Sequence, residues 1–388
     1  MAPEVDRDWR GPPPPDAPGR EPLPHPGGGL FGRGRWRTVA LLGLIVLVVG
    51  VALRRHPSTC STHPPSGPNL DNARLWVASA VAEVPCPATG RAVYGLTDNA
   101  GQPMAGLDPI ADPRGGYLGV YSSAPASVPG RPAPGSQLVL ASSTNLSSWR
   151  RIRVLTGRGA GASGAGYPTL EAMPGGGYVL AFQSGERIGL GFYRSLPALL
   201  AARQAASIVL PLRLSPSQNG APWLGSVIWN GSLRRSRLTL GFDYRSGGLE
   251  REGIGLVRGF RSWSARPDSE TDRLLDAGGL TGNHGQQRQF TVAGRSWRIL
   301  EAQDLASSRA GTQAGWHVAL YDLTRPHMFL LRLGTPNGTL ATSFATPVAR
   351  VLPAPTGGGQ ALVVSLYVFG SEAGSGNAGE LVYWNPIG

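Results

Sequence analysis

Hydrophobic and polar positions divide the chain into two regimes. Residues 38–53 form one uninterrupted apolar run, Thr-Val-Ala-Leu-Leu-Gly-Leu-Ile-Val-Leu-Val-Val-Gly-Val-Ala-Leu, with no charge on any side of a helical projection. A helix of a soluble core would keep a polar face, so the pattern predicts a membrane-spanning helix. It would span roughly 24 Å at about 1.5 Å per residue, a little short of the roughly 30 Å hydrocarbon core. Arg37 and Arg54 can snorkel at its ends, and Trp36 suits the interface. Arg33, Arg35 and Arg37 precede the run and Arg54 and Arg55 follow it, an asymmetry that favours a cytoplasmic N-terminus. A cleaved signal peptide is the competing reading. Against it, Arg54, Arg55 and His56 stand where small residues would be needed.

From about residue 90 the pattern changes to short β-type runs separated by glycine turns. Asp108-Pro109-Ile110 leads through Gly115 and Gly116 to runs at 117–121 and 137–141. Tyr167-Pro168-Thr169 leads to 178–182 and 188–192, and Ala221-Pro222-Trp223 to 225–229, 238–242 and 253–257. A fourth set comprises 289–292, 297–300 and 316–321. A fifth comprises Thr346-Pro347-Val348, 361–367 and 381–384. The sets recur about every 54 to 66 residues, which suits four-stranded blades around an axis. The predicted fold class is all-β, a five-bladed β-propeller preceded by a single transmembrane helix; a β-sandwich is the competing fold. Residues 91–96 are expected to complete the last blade and close the ring. Residues 196–206, helix formers around Pro197, are expected as a short helix or loop on the rim.

This gives a leader at 1–35, rich in proline and glycine and disordered in the cytoplasm, an anchor at 36–55, an extracytoplasmic stem at 56–89 and the propeller at 90–388. The composition agrees: 56 glycines and 35 prolines with 15% charged residues suit many strands and turns. The net charge is +12, and all 36 basic residues are arginine. They are scattered rather than gathered in a stripe, so no nucleic-acid partner is expected. A coding bias towards arginine explains the count, and some attraction to anionic polymer or lipid follows from the charge itself. Cys60 and Cys86 both follow the anchor; outside the cytoplasm a disulfide between them is favoured over two free thiols. No cofactor is expected: the glycines of 159–166 lack the lysine of a phosphate loop, and no metal site has the spacing of zinc ligands.

Three motifs carry a resemblance. They are Asp108-Pro109-Ile110 with Gly116-Tyr117-Leu118, residues 140–149 (Leu-Ala-Ser-Ser-Thr-Asn-Leu-Ser-Ser-Trp), and Tyr178-Val179-Leu180. They resemble the five-bladed propellers of glycoside hydrolases such as arabinanases and xylosidases, and more loosely the sialidases, with Asn145 where an aspartate is usual. The resemblance implies an inner-strand aspartate as base or nucleophile, matched by Asp108, and an acid from a later blade. Glycoside cleavage needs two carboxyl groups flanking the bond, one charged and one protonated. At the matching positions this chain has Tyr167 before Pro168 and Ala221 before Pro222, so the usual carboxylates are missing there. Glu171 and Glu301 are the acids that could substitute; the alternative role for each is a salt bridge to an arginine.

The inner-strand starts would gather Asp108, Tyr167, Trp223, His284, Gln286 and Arg288 as a ligand-binding mouth, with aromatic faces for sugar rings and polar groups for hydroxyls. Tyr167 and Trp223 packing between blades is the alternative. Three functions follow as expectations. The first is a membrane-anchored extracytoplasmic propeller that binds a glycan or other cell-envelope component without hydrolysis. The second is a divergent glycoside hydrolase using Asp108 with Glu171 or Glu301. The third is a protein-interaction platform in an envelope complex.

Overall fold

The computed structural model describes residues 73–124, 132–155, 164–312, 314–333, 343–369 and 378–387. Their strands form five four-stranded antiparallel sheets. Blade 1 contains β2 (Ala105–Ala111), β3 (Tyr117–Ser122), β4 (Leu138–Ser143) and β5 (Arg150–Val154). Blade 2 contains β6 (Ala165–Ala172), β7 (Tyr178–Ser184), β8 (Arg187–Tyr193) and β9 (Ala206–Val209). Blade 3 contains β10 (Asn219–Ile228), β11 (Arg237–Ser246), β12 (Leu249–Arg258) and β13 (Ser262–Pro267). Blade 4 contains β14 (His284–Val292), β15 (Arg295–Gln303), β16 (Trp316–Asp322) and β17 (His327–Leu331). Blade 5 takes β18 (Phe344–Pro353), β19 (Gln360–Val368) and β20 (Gly379–Ile387) from the C-terminal end of the chain. Its outer strand β1 (Ala92–Val93) comes from the N-terminal side of the repeats. Ala92 pairs with Tyr383 and Val93 with Val382, so the ring closes as the repeat pattern predicts.

Apolar layers between blades hold the ring. Val179, Leu190, Leu240, Phe242 and Trp263 join blades 2 and 3. Leu107, Val139, Val363 and Trp384 join blades 5 and 1, and Leu118, Leu140, Leu170 and Leu180 join blades 1 and 2. Glycine lets rings lie flat on strands: a Cβ on Gly241 would overlap the indole of Trp223. The seam between blades 3 and 4 is more polar. There Arg298 Nη1 donates to Asp268 Oδ2 and Thr271 Oγ1, both at 2.8 Å, and Gln287 donates to Glu252.

The seam between blades 4 and 5 is sealed by a helix that the apolar pattern did not announce. Trp76, Val77, Ala80 and Val81 of α1 (Ala73–Ala82) are buried against both flanking sheets. They meet Trp297 and Ile299 of blade 4 and Val364, Leu366 and Tyr383 of blade 5. The end of the helix is tied down by polar contacts: Asn385 Nδ2 donates to Ala80 O at 2.8 Å, and the Tyr383 hydroxyl donates to Val81 O. Arg74 Nε lies 3.4 Å from Asp322 Oδ2. The C-terminal part of the expected stem is therefore built into the ring. Further helices are α2 (Leu196–Leu200), capped by Ser195 on the predicted rim segment, and α3 (Ser269–Ala277) and α4 (Leu305–Ala310), which the strand pattern did not announce.

Cys86 is disulfide-bonded, while Cys60, the leader and the apolar run at 38–53 lie outside the described residues. Among the described residues no helix is long and apolar enough to cross a membrane. The docking of α1 predicts that Trp76→Ala lowers stability by about 3 to 5 kcal/mol, measured by urea unfolding. A loss below about 1 kcal/mol would show that the helix adds little to the ring.

Candidate functional site at the propeller mouth

Every inner strand breaks register at the same place. The irregularities fall between Ala105 and Asp108, Gly166 and Thr169, Gly220 and Trp223, His284 and Gln287, and Ala345 and Val348. The second residue of each bulge is Gly106, Tyr167, Ala221, Gly285 or Thr346, and all five line one pocket. Four of them have positive φ: 63° at Gly106, 51° at Tyr167, 36° at Ala221 and 54° at Thr346. For the three that are not glycine this costs on the order of 1 kcal/mol or more each, and it persists where surrounding bonds fix the backbone.

Buried side chains supply those bonds. Glu380 accepts the N–H groups of Gly106 and Leu107, both at 2.9 Å. Glu301 accepts Gln286 N at 3.0 Å and Thr346 N at 2.6 Å, joining the bulges of blades 4 and 5. Gln183 Oε1 accepts Ala221 N at 2.9 Å. Burial pushes the pKa of Glu301 up to about 8 and that of Glu380 up to about 7, against the backbone N–H groups that favour their charged forms.

The pocket is small, with a cavity volume of about 40 Å³, and opens outward. Tyr167, Trp316, Tyr367 and Phe369 form its aromatic wall, and Asp243, Glu250 and Glu301 are its acids. Asp243 is 1% exposed, and neither of its carboxyl oxygens has a hydrogen-bond partner. Its cross-strand neighbour is another buried acid, Glu252. Burial, then the nearby Glu250, pushes the Asp243 carboxyl well above the ordinary carboxylate range. Glu250 accepts a hydrogen bond from Gln218 Nε2 at 3.1 Å.

The residues singled out from sequence are distributed differently. Asp108, Glu171 and Arg288 lie further along their inner strands than the mouth residues Gly106, Tyr167 and Gly285, and meet Arg350 of β18. Arg350 grips Asp108 through Nε at 2.7 Å and Nη2 at 2.9 Å, and its Nη1 donates to Glu171 at 3.2 Å. Arg288 also donates to Glu171 and lies 3.7 Å from Asp108 Oδ2. Burial would raise the Asp108 carboxyl, but Arg288 and Arg350 hold it below its ordinary value. The mouth position of blade 1 is Gly106, not Asp108, so the Asp-Pro motif lies past the place its resemblance implies.

Of the remaining candidates, Tyr167 lines the pocket. Trp223 is buried outside the pocket lining, with Arg298 stacked 5.2 Å from its ring. His284 is buried in the polar seam, with Nδ1 2.7 Å from Asp272 Oδ1. Gln286 is buried, and neither amide atom has a partner. Asn145 caps a turn, its Oδ1 accepting Ser147 N and Ser148 N at 3.0 Å each. The sequence pattern does not single out Asp243 or Glu250. The available signal was a carboxylate inside the apolar strand run Leu238-Thr-Leu-Gly-Phe-Asp243-Tyr, since a charge at such a position is informative.

Arg350→Met removes the bidentate partner of Asp108, leaving it Arg288 and the Leu170 N–H, and is expected to cost about 3 to 5 kcal/mol in urea unfolding; a loss below about 1 kcal/mol would show the bidentate pair to be dispensable. Glu301, with its folded pKa raised to about 8, keeps a proton that the unfolded chain loses near pH 4.3, about its ordinary value. Unfolding then releases that proton, so its contribution to stability falls as pH rises towards about 8. The thermal midpoint of the wild type minus that of Glu301→Gln should therefore fall between about pH 5 and pH 8. A difference independent of pH would show that Glu301 titrates normally.

No family model matches the chain, and no curated protein matches it. Among solved structures it is similar to a thermostable family-43 glycoside hydrolase, with 11% identity and a TM-score of 0.47 over 75% of this chain and 92% of that one. It is similar to a family 117 glycoside hydrolase from Zobellia galactanivorans, with 13% identity and a TM-score of 0.45 over 76% and 90% of the two chains. An α-L-arabinofuranosidase from Podospora anserina, in complex with cellotriose, gives 12% identity and a TM-score of 0.45 over 76% and 95%. The five sheets themselves make this chain a five-bladed β-propeller, structurally similar to these enzymes at low sequence identity.

Proposed function

We propose that the chain is a propeller held at the outer face of a membrane by residues 38–53, whose mouth binds a glycan or another cell-envelope component without cleaving it. The observation that carries this reading is the set of five mouth positions. Gly106, Tyr167, Ala221, Gly285 and Thr346 offer no carboxylate where the inner strands converge. Asp108 and Glu171, the pair expected from sequence, are neutralised by Arg288 and Arg350. Glu301 commits both oxygens to backbone N–H groups. What remains in the pocket is an aromatic wall beside Thr346 and two further acids, Asp243 and Glu250, a lining that suits the apolar face and hydroxyls of a sugar.

Hydrolysis is the second reading, and the position of Asp243 favours a specific form of it. A carboxyl whose proton is favoured by burial beside a second acid, Glu250, offers the proton-carrying half of an acid pair. The two readings separate in one experiment. The purified chain is incubated with envelope polysaccharides, and both retention and release of reducing ends are measured. Retention without release is expected, and Tyr167→Ala should weaken it about tenfold. Release of reducing ends that disappears in Asp243→Asn would overturn the binding reading.

A further inference from the structure

We propose that the mouth recognises a protonated amine on its glycan, so that its ligand is a sugar polymer carrying free amino groups. This rests on the glycan-binding reading above and names the chemical class of the ligand. Three acids, Asp243, Glu250 and Glu301, line the pocket, and among the described residues no arginine or histidine does. In a protein of net charge +12, the mouth is a local acidic exception.

Asp243 supplies the second, independent observation. It is 1% exposed, lines the pocket, and has no hydrogen-bond partner for either carboxyl oxygen. The groups facing it are also acids: Glu250 and Glu252 on β12 and Glu301 on β15. A buried polar group without a partner is costly, and a donor that enters the pocket recovers that cost. Thr346 Oγ1, on the same pocket wall, is likewise buried and unpartnered.

A sugar hydroxyl would supply one donor but no charge. An ammonium supplies three donors and a positive charge, which favours the ionised form of the acids around it. The wall of Tyr167, Trp316, Tyr367 and Phe369 suits the same group, because aromatic faces attract cations as well as sugar rings. A metal ion is less well matched, since among the described residues no group of three His, Cys, Asp or Glu side chains is placed to hold one.

The test compares three oligosaccharides of equal length on the full chain by calorimetry: glucosamine, N-acetylglucosamine and glucose oligomers. The glucosamine oligomer is expected to bind at least about tenfold more tightly than the other two. Asp243→Asn, which keeps the side-chain shape, should reduce that preference to within about twofold, with the thermal midpoint as the control for folding. Glu250→Gln provides the same comparison should the first variant fold poorly. Equal affinity for all three oligomers, or tighter binding of an uncharged one, overturns the amine inference and leaves glycan binding standing. Binding of none of the three also overturns the amine inference, and the glycan reading is then decided by the retention experiment on envelope polysaccharides.

Discussion

Two arginines and two carboxylates occupy the axis of this ring, and the arrangement of the blades depends on them. Arg350 of blade 5 and Arg288 of blade 4 meet Asp108 of blade 1 and Glu171 of blade 2. Arg288 also reaches Leu224 O of blade 3, so every inner strand is touched. Such a cluster stabilises less than its Coulomb attraction suggests, because each charge gave up water to enter. Its bidentate guanidinium contacts fix the inner strands relative to one another, alongside the packed apolar layers between blades. Residues nearer the start of the same strands then converge on the mouth in a fixed order.

The mouth uses buried acids in a related way. Its bulges hold Tyr167, Ala221 and Thr346 at positive φ, and Glu380, Glu301 and Gln183 accept the backbone N–H groups that the bends expose. Glu301, an acid the sequence offered for chemistry, thus serves as a backbone acceptor. Asp243 differs from them in that neither carboxyl oxygen has a hydrogen-bond partner from another residue.

The ring and its closure were legible in the sequence because they depend on strand period and glycine turns, which repeat. The register of the mouth was not. Left-handed backbone is announced by glycine, but three of the positions carry Tyr167, Ala221 and Thr346, so Asp108 before Pro109 looked like the mouth residue in place of Gly106. α1 was hidden for another reason: its sequence, Ala-Arg-Leu-Trp-Val-Ala-Ser-Ala-Val-Ala, is short and becomes a helix against the side chains of two blades. Asp243 and Glu250 lie on second and third strands, and their approach to the axis is a property of the assembled ring.

The union of the two ends of the repeat region has a consequence for the order of folding. The bond from Asn385 to Ala80 joins residues 305 positions apart, and β1 finds its partner in β20. During synthesis α1 and β1 emerge before the first blade, yet the surfaces that receive them are the last to be made. Contacts between such distant residues form late, after a large loss of chain entropy. Until then blade 5 lacks its outer strand, and the apolar face of α1 has no seam to fill. The interval before closure is when this chain is most exposed to misassembly.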